Sequence, residues 1–367
     1  MYSQTDLDEA VAAGALSADA ANGLRNFIDN QRTTPAVDEE HFRLLTGFND
    51  IFVAIAATIL LFAVGWIGQS IGQSLGLVFD RGGPSPLAPA AIAGTAWGLA
   101  LFFTAKRRMA LPSILLLLAF VGGVFATAVF GLIYGVGETA LDNNEIAAGM
   151  IGMAAGAIAA GAAWLHWKRF QVPITVAAGA AALVAFAVGL LIAVVGTVDD
   201  IKNIILGFVL LLGIGVFLFA MRWDSSDPTR VTRRSDVAFW LHLLAAPMIV
   251  HPVFSLLGLN EGRATIGEGL VVILLYIALG ITALAIDRRA LLVSALAYVL
   301  FALQALFREF GAVELNVALT ALVIGSSLLL LSAYWHQARA LVVRPLPGGL
   351  RARLPNLDRA VSPQPAA

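Results

Sequence analysis

KRRMALPSILLLLAFVGGVFATAVFGLIYGVGE, residues 106–138, decides the fold. It opens on Lys106-Arg107-Arg108, passes Leu111-Pro112, and carries no further charge until Glu138. A helix needs roughly 20 apolar residues to cross the hydrocarbon of a bilayer, and this run exceeds that length. Its ends differ in sign: the basic triplet lies at one, and Glu138, Asp142 and Glu145 at the other. Because Lys and Arg stay on the cytoplasmic side, the stretch also has a direction. It specifies a polytopic membrane protein and leaves the biochemical activity open.

Composition agrees. Of 367 residues, 59% are hydrophobic and 13% charged, against roughly 45–50% and about 25% in soluble domains. That much apolar surface calls for lipid. There are no cysteines, which removes disulfides, thiolate metal sites and cysteine nucleophiles together. The first 47 residues are polar and acidic, without an apolar core near Met1. Insertion is therefore expected to begin with an internal helix rather than a cleaved signal peptide.

Residues 1–47 read as a small cytoplasmic helical-hairpin lobe. Thr5-Asp6-Leu7-Asp8 forms a capping box, Gly14 is a helix stop, and Ser17 caps a second helix with Ala21, Leu24 and Ile28 on one face. Pro35 lies in a linker. Two helices with a tight turn invite a DNA-binding reading, but up to Asp50 there are three Arg, no Lys and nine Asp or Glu. A phosphate-binding surface needs the opposite sign, so nucleic acid is excluded as a partner and a docking or regulatory role is preferred.

From Ile51 charge-free runs repeat, at 50–70, 87–105, 112–134, 146–166, 174–196, 203–221, 237–258, 269–286, 290–309 and 315–335. The expected fold is all-α: a polytopic bundle of about ten membrane helices over 48–336. Whether residues 69–79 extend the first helix or lie at the interface is open at this level. With the N-terminus in the cytoplasm, the cytoplasmic segments hold 19 of the 23 Lys and Arg, and the outer ones only Arg81, Lys202, Arg263 and Arg308. Both termini are then cytoplasmic. Trp164, Trp167, Trp223, Trp240 and Trp335 fall near that interface, where amphipathic rings are favoured. Residues 337–367 turn Pro/Gly/Arg-rich after Leu341 and read as a basic disordered tail suited to an anionic leaflet.

Three of the basic turns look alike: Arg107-Arg108-Met109-Ala110-Leu111-Pro112-Ser113, Lys168-Arg169-Phe170-Gln171-Val172-Pro173-Ile174, and Arg288-Arg289-Ala290-Leu291-Leu292-Val293-Ser294. Proline suits a first helical turn because its missing N–H was unpaired anyway. With Arg234, these turns recur every ~55–65 positions, the length of one two-helix hairpin, so repeated hairpins are expected; the plainer account is that any even-numbered bundle shows basic turns at this spacing. Lipid gives no hydrophobic reward for helix association, so small residues must let backbones approach. Gly152-xxx-Gly156-xxx-Ala160, Gly94-xxx-Gly98 and Gly68-xxx-Gly72-xxx-Gly76 offer such faces, for packing within the chain. Pro247 and Pro252 each remove a backbone donor and should kink their helix or line a polar cavity.

The search for chemistry returns mostly absences. In this topology no Asp, Glu, Lys or Arg lies at mid-membrane, where proton pumps and charge-coupled carriers keep one. Zinc-protease spacing, a P-loop and a dinucleotide fingerprint are missing. Glu39-Glu40-His41-Phe42-Arg43 superficially resembles a membrane-protease motif but sits in the polar lead-in, and Asp199-Asp200 reads as solvated rather than as a cation site. No catalytic, cofactor-binding or metal residue is assigned. A candidate polar path remains. His242 and His251 share one helix and, nine positions apart, face opposite ways. Ser294, Tyr298, Gln304 and Arg308 form a stripe along 290–309 that either lines a solute path or glues that helix to the next.

The Leu7-Asp8-Glu9-Ala10-Val11-Ala12-Ala13-Gly14-Ala15-Leu16-Ser17 opening and Phe42-Arg43-Leu44-Leu45-Thr46-Gly47-Phe48-Asn49-Asp50, followed by small-residue-rich helices with basic turns, resemble a group of uncharacterised bacterial polytopic inner-membrane proteins with a short acidic N-terminal helical-hairpin lobe. The resemblance implies a bacterial inner-membrane setting and transfers no functional residue. Two functions are carried forward. One is a permease-like carrier of a neutral small molecule. The other is a non-transporting scaffold or sensor that docks a cytoplasmic protein through residues 1–47. An intramembrane enzyme ranks last.

Overall fold

In the computed structural model the described residues are 11–23, 48–79, 83–142, 144–196, 198, 200–228, 232–257, 266–289, 291–292, 296, 300, 316–351 and 354–355. Among them every regular element is helical. In chain order these are α1 (Phe48–Ser74), α2 (Leu87–Phe103), α3 (Ala110–Val136), α4 (Glu145–Phe170), α5 (Ile174–Val195), α6 (Ile201–Ser225), α7 (Arg233–Leu256), α8 (Ile266–Ile286), α9 (Asn316–Ala333), α10 (Trp335–Val343) and α11 (Gly348–Arg351). The chain divides into Met1–Phe42 with Asp358–Ala367, and Arg43–Leu357.

In the first unit, Gly14 takes φ +70° and its N–H donates to Val11 O, ending one helical turn. Ser17 Oγ then accepts from Ala20 N at 3.2 Å, the capping role its position suggests. Thr5, Asp8, Leu24, Ile28, Pro35 and the Glu39-Glu40-His41 segment lie outside the described residues.

In the second unit six helices, α1 and α3 to α7, are long and apolar enough to cross a membrane. Leu87–Phe103, Ile273–Ile286 and Ala321–Ala333 are shorter apolar helices. These lengths and compositions are those of a multi-pass membrane protein. Of the ten expected runs, 290–309 falls almost wholly outside the described residues. On α1, Phe48, Phe52, Ile55, Ile59, Phe62 and Trp66 follow one another at three or four residues and are exposed, leaving a continuous apolar stripe for acyl chains. The helix continues to Ser74, so residues 69–74 extend it. Gln69 fastens the following loop, donating from Nε2 to Gly83 O at 2.8 Å and accepting at Oε1 from Ser85 N at 2.8 Å.

From α1 to α7 each helix packs against the next, α4 against α5 most extensively, and α7 returns to contact α5. The α4–α5 pair has no side chain at its closest points. A Cβ at Gly156 would stand 2.7 Å from Phe186 Cα, and one at Gly189 would overlap Met153 N. Gly152 is looser, 3.7 Å from Gly189 Cα. Gly68 and Gly72 likewise meet Leu87 and Ser85. Gly94 and Gly98 have nothing within 4 Å, so the packing face expected there is not one.

The three basic turns share one backbone feature. Arg108, Gln171 and Asp287 all take left-handed φ, at 53°, 53° and 57°. Their hydrogen bonds differ. Gln171 N–H donates to Trp167 O at 3.0 Å, closing α4 with a single bond. At the end of α8, Arg288 N–H donates to Ala283 O at 2.8 Å and Asp287 N–H to Leu284 O at 3.3 Å, a Schellman arrangement. Around Arg108 the loops are wider, with Met109 N–H reaching Phe103 O at 3.1 Å. Each turn also lays a cation over a ring: Arg107 over Phe102, Lys168 over Trp164 at 4.7 Å, and Arg289 over Trp335 at 4.9 Å.

A left-handed residue with a Cβ costs about 1 kcal/mol or more. The Gln171 side chain is exposed and its one contact, from Arg233 at 3.5 Å, is long. Gln171→Gly should therefore stabilise the folded protein by about 1 kcal/mol, read as a higher unfolding midpoint in detergent. A lower midpoint would mean that the Arg233 contact outweighs the backbone strain.

Two expectations are corrected. Trp335 is not an interfacial ring in lipid. It is 3% exposed in an apolar cluster with Ala246, Ala283 and Leu291. The stretch after Leu341, expected to be disordered, folds as far as it is described. Val343 and Leu354 are buried in that same cluster, and Arg339 donates to Pro355 O at 2.6 Å. The turn residues of Arg344-Pro345-Leu346-Pro347-Gly348-Gly349 end α10 and start α11, so proline and glycine act here as punctuation within a packed segment.

Candidate functional site

α7 is the most enclosed of the six candidate spans, with 56% of its apolar window buried against 33% or less in the others. It continues through Pro247 and Pro252, neither of which has an N–H to donate to the preceding turn. At Met248 the neighbouring helix comes close. A Cβ on Gly213 of α6 would stand 2.9 Å from Met248 Cβ and 3.0 Å from its carbonyl oxygen. Packing favours glycine there against its entropic cost in a helix, since nothing larger fits beside Met248.

Ionic groups collect at the end where α6 turns into α7. α6 continues one turn beyond its charge-free run, to Ser225, which carries Asp224 inward. Arg288, just past α8, grips that carboxylate with two donors: Nη2 to Asp224 Oδ1 at 2.6 Å and Nε to Oδ2 at 3.3 Å. The same Nη2 also donates to Ser235 O at 3.0 Å and to Ser235 Oγ at 3.1 Å. His242 brings Nε2 to 3.6 Å from Asp224 Oδ2. Asp224, Arg288, Ser235 and His242 are all buried. The Phe217 ring stands edge-on to the imidazole, 5.2 Å between centroids.

The residues flanking Arg288 extend the cluster. Asp287 accepts from Trp335 Nε1 at 2.8 Å and lies 3.8 Å from Arg339 Nε. Arg289 covers the indole. Three consecutive residues therefore tie α6 and α7 on one side to α10 on the other. Beneath them, Asp227 accepts from Thr232 N at 2.9 Å and Thr232 Oγ1 at 2.7 Å, closing the α6–α7 turn. Fork-to-carboxylate pairing of this kind fixes orientation as well as distance. Buried, it is a device for holding one arrangement more than a source of stability.

Of the polar path read from sequence, His242 joins this cluster and His251 is exposed, as nine helical residues dictate. Ser294, Tyr298, Gln304 and Arg308 lie outside the described residues. So does Asp199; Asp200 takes left-handed φ and accepts from Asn203 Nδ2 at 3.2 Å. Asp224, Ser235 and Asp287 were not singled out by sequence. The one cue was an acid within a turn of the end of a charge-free run, after Arg222 and Trp223. His166 was also missed. It is wholly buried, bonds through Nδ1 to Thr175 Oγ1 at 3.2 Å, and is ringed by Trp97, Phe120 and Phe170. It ties α4 to α5 in an aromatic box, a packing role. No protein-family model, curated protein or solved structure matches the chain, so the site is read from its own geometry.

Proposed function

We propose that this protein is a multi-pass permease of the bacterial inner membrane for a small uncharged solute, without enzymatic activity. The observation that carries the reading is the buried Asp224–Arg288–Ser235 clip at one end of the proline-interrupted, most enclosed helix. A desolvated ion pair between helix groups has two well-separated states, made and broken, which suits a latch closing one end of a path. α7 is the moving element, and its prolines weaken the backbone ladder that would otherwise hold it stiff.

The same proposal places about ten crossings with both termini in the cytoplasm and repeated two-helix hairpins. The sorting of 19 of 23 basic residues to one side supports it, as does the shared left-handed φ of the three basic turns. The Asp224–Arg288 cluster then lies at the cytoplasmic end, and residues 1–47 are the proposed docking segment for a cytoplasmic partner. Since the chain has no cysteine, a thiol introduced at Lys168 reports its side directly. Labelling from the cytoplasmic face alone is expected; labelling from the periplasmic face would invert the map.

Purified protein in liposomes should pass uncharged solutes such as glycerol or acetamide faster than protein-free vesicles. Arg288→Met should change the rate without changing which solute is preferred. No flux with any probe, together with recovery of a protein partner that vanishes when residues 1–40 are deleted, would replace the permease with the scaffold reading.

A further inference from the structure

We infer that the permease path has a solute-binding subsite at the bilayer midplane, marked by Tyr276 and built between α7 and α8; the inference rests on the permease reading for its role in transport. Tyr276 is halfway along the 21-residue α8. Its hydroxyl oxygen is buried and has no hydrogen-bond partner among the described residues. A hydroxyl withdrawn from water and left unpaired carries a desolvation cost, and in hydrocarbon there is no solvent to make good the loss. Phenylalanine fills the same space without that cost. The hydroxyl is therefore best explained by a ligand that meets it.

The surroundings say what the ligand is. Tyr276 packs against two separate apolar clusters. One contains Ala246 and Ala283, and the other Val250, Phe254 and Leu279. The ring thus lies in the seam between them, facing α7. At ~100° per residue Pro247 falls within about 60° of Val250 and Phe254, on that same face. The charged groups of the hub are at the helix ends, with Asp224 in the last turn of α6 and Arg288 past the end of α8. A phenol can donate or accept one hydrogen bond and offers no charge. The class that fits is a small uncharged molecule with a hydroxyl or primary amide and an apolar remainder for the flanking clusters.

Two measurements test this separately. The first does not depend on transport. In the cysteine-free chain, Leu279→Cys, one turn from Tyr276 in the cluster that packs against its ring, is compared with Leu274→Cys on the same helix, 64% exposed. With the Tyr276 hydroxyl intact, a small water-soluble methanethiosulfonate reagent should modify Leu279→Cys at least tenfold faster, and acetamide should slow it. Equal rates at the two positions, or no protection by acetamide, would overturn the subsite whatever the flux. The second is flux in liposomes. Tyr276→Phe should lower acetamide or glycerol permeation about tenfold, the loss of one buried hydrogen bond, with its unfolding midpoint unchanged or raised. A variant as fast as wild type overturns the subsite. If wild type passes neither probe while Leu279→Cys is reactive and protected, the permease reading fails and the binding site stands.

Discussion

Arg288→Met should cost about 3–5 kcal/mol of folding stability, because it leaves the Asp224 carboxylate buried beside a lost partner. Asp224→Leu should be comparably damaging, since Arg288 would keep only the two Ser235 oxygens. The two losses should not add. With both changed, no guanidinium and no carboxylate remain to be desolvated, and most of the stability should return, to within about 1–2 kcal/mol of wild type. Denaturation of the four proteins in the same micelle gives the coupling energy directly. Additive losses would show that the pair is not a unit, and the latch would fail with it. Arg289→Met is the control one residue away. It loses a cation above the Trp335 ring and should cost no more than about 1 kcal/mol.

The second large effect is expected at the α4–α5 contact. Gly189→Val should destabilise the protein by about 3 kcal/mol or abolish its folding, since even a methyl overlaps Met153 N and would stand 2.8 Å from Gly149 O. The clash is with backbone, which cannot turn aside as a side chain could. Gly94→Val, on a face with nothing within 4 Å, should change the unfolding midpoint little. Both positions read as glycines in apolar helices, so the contrast isolates contact from composition. A Gly189 variant with a wild-type midpoint would mean that the two helices do not approach as closely as described.

That contrast also shows how far the sequence could be read. Each candidate span among the described residues begins and ends near a boundary visible in the charge pattern, because hydrocarbon penalises charge over a length that helix geometry fixes. Gly152-xxx-Gly156 announced a packing face correctly while Gly94-xxx-Gly98 did not, because spacing shows that two backbones can touch and not whether a neighbour is there. The left-handed φ at Gln171 and Asp287 has no local signature at all, as glycine or asparagine would have been expected. The hub was the least legible part. Asp224 and Arg288 are 64 residues apart, and no periodicity in one chain links them. Asp224 reads as a loop acid until α6 is known to extend by a turn. Tyr276 reads as one more apolar residue until its hydroxyl is found buried without a partner among the described residues.

The indole of Trp335 reaches Asp287 across 48 positions of chain. During synthesis the turn after α8 is made long before the segment that caps it, so α10 docks onto helices already in place. The hub is completed only once α10 has been made. A nascent chain halted before Trp335 would present Asp287 and the rim of an apolar cluster to the surroundings.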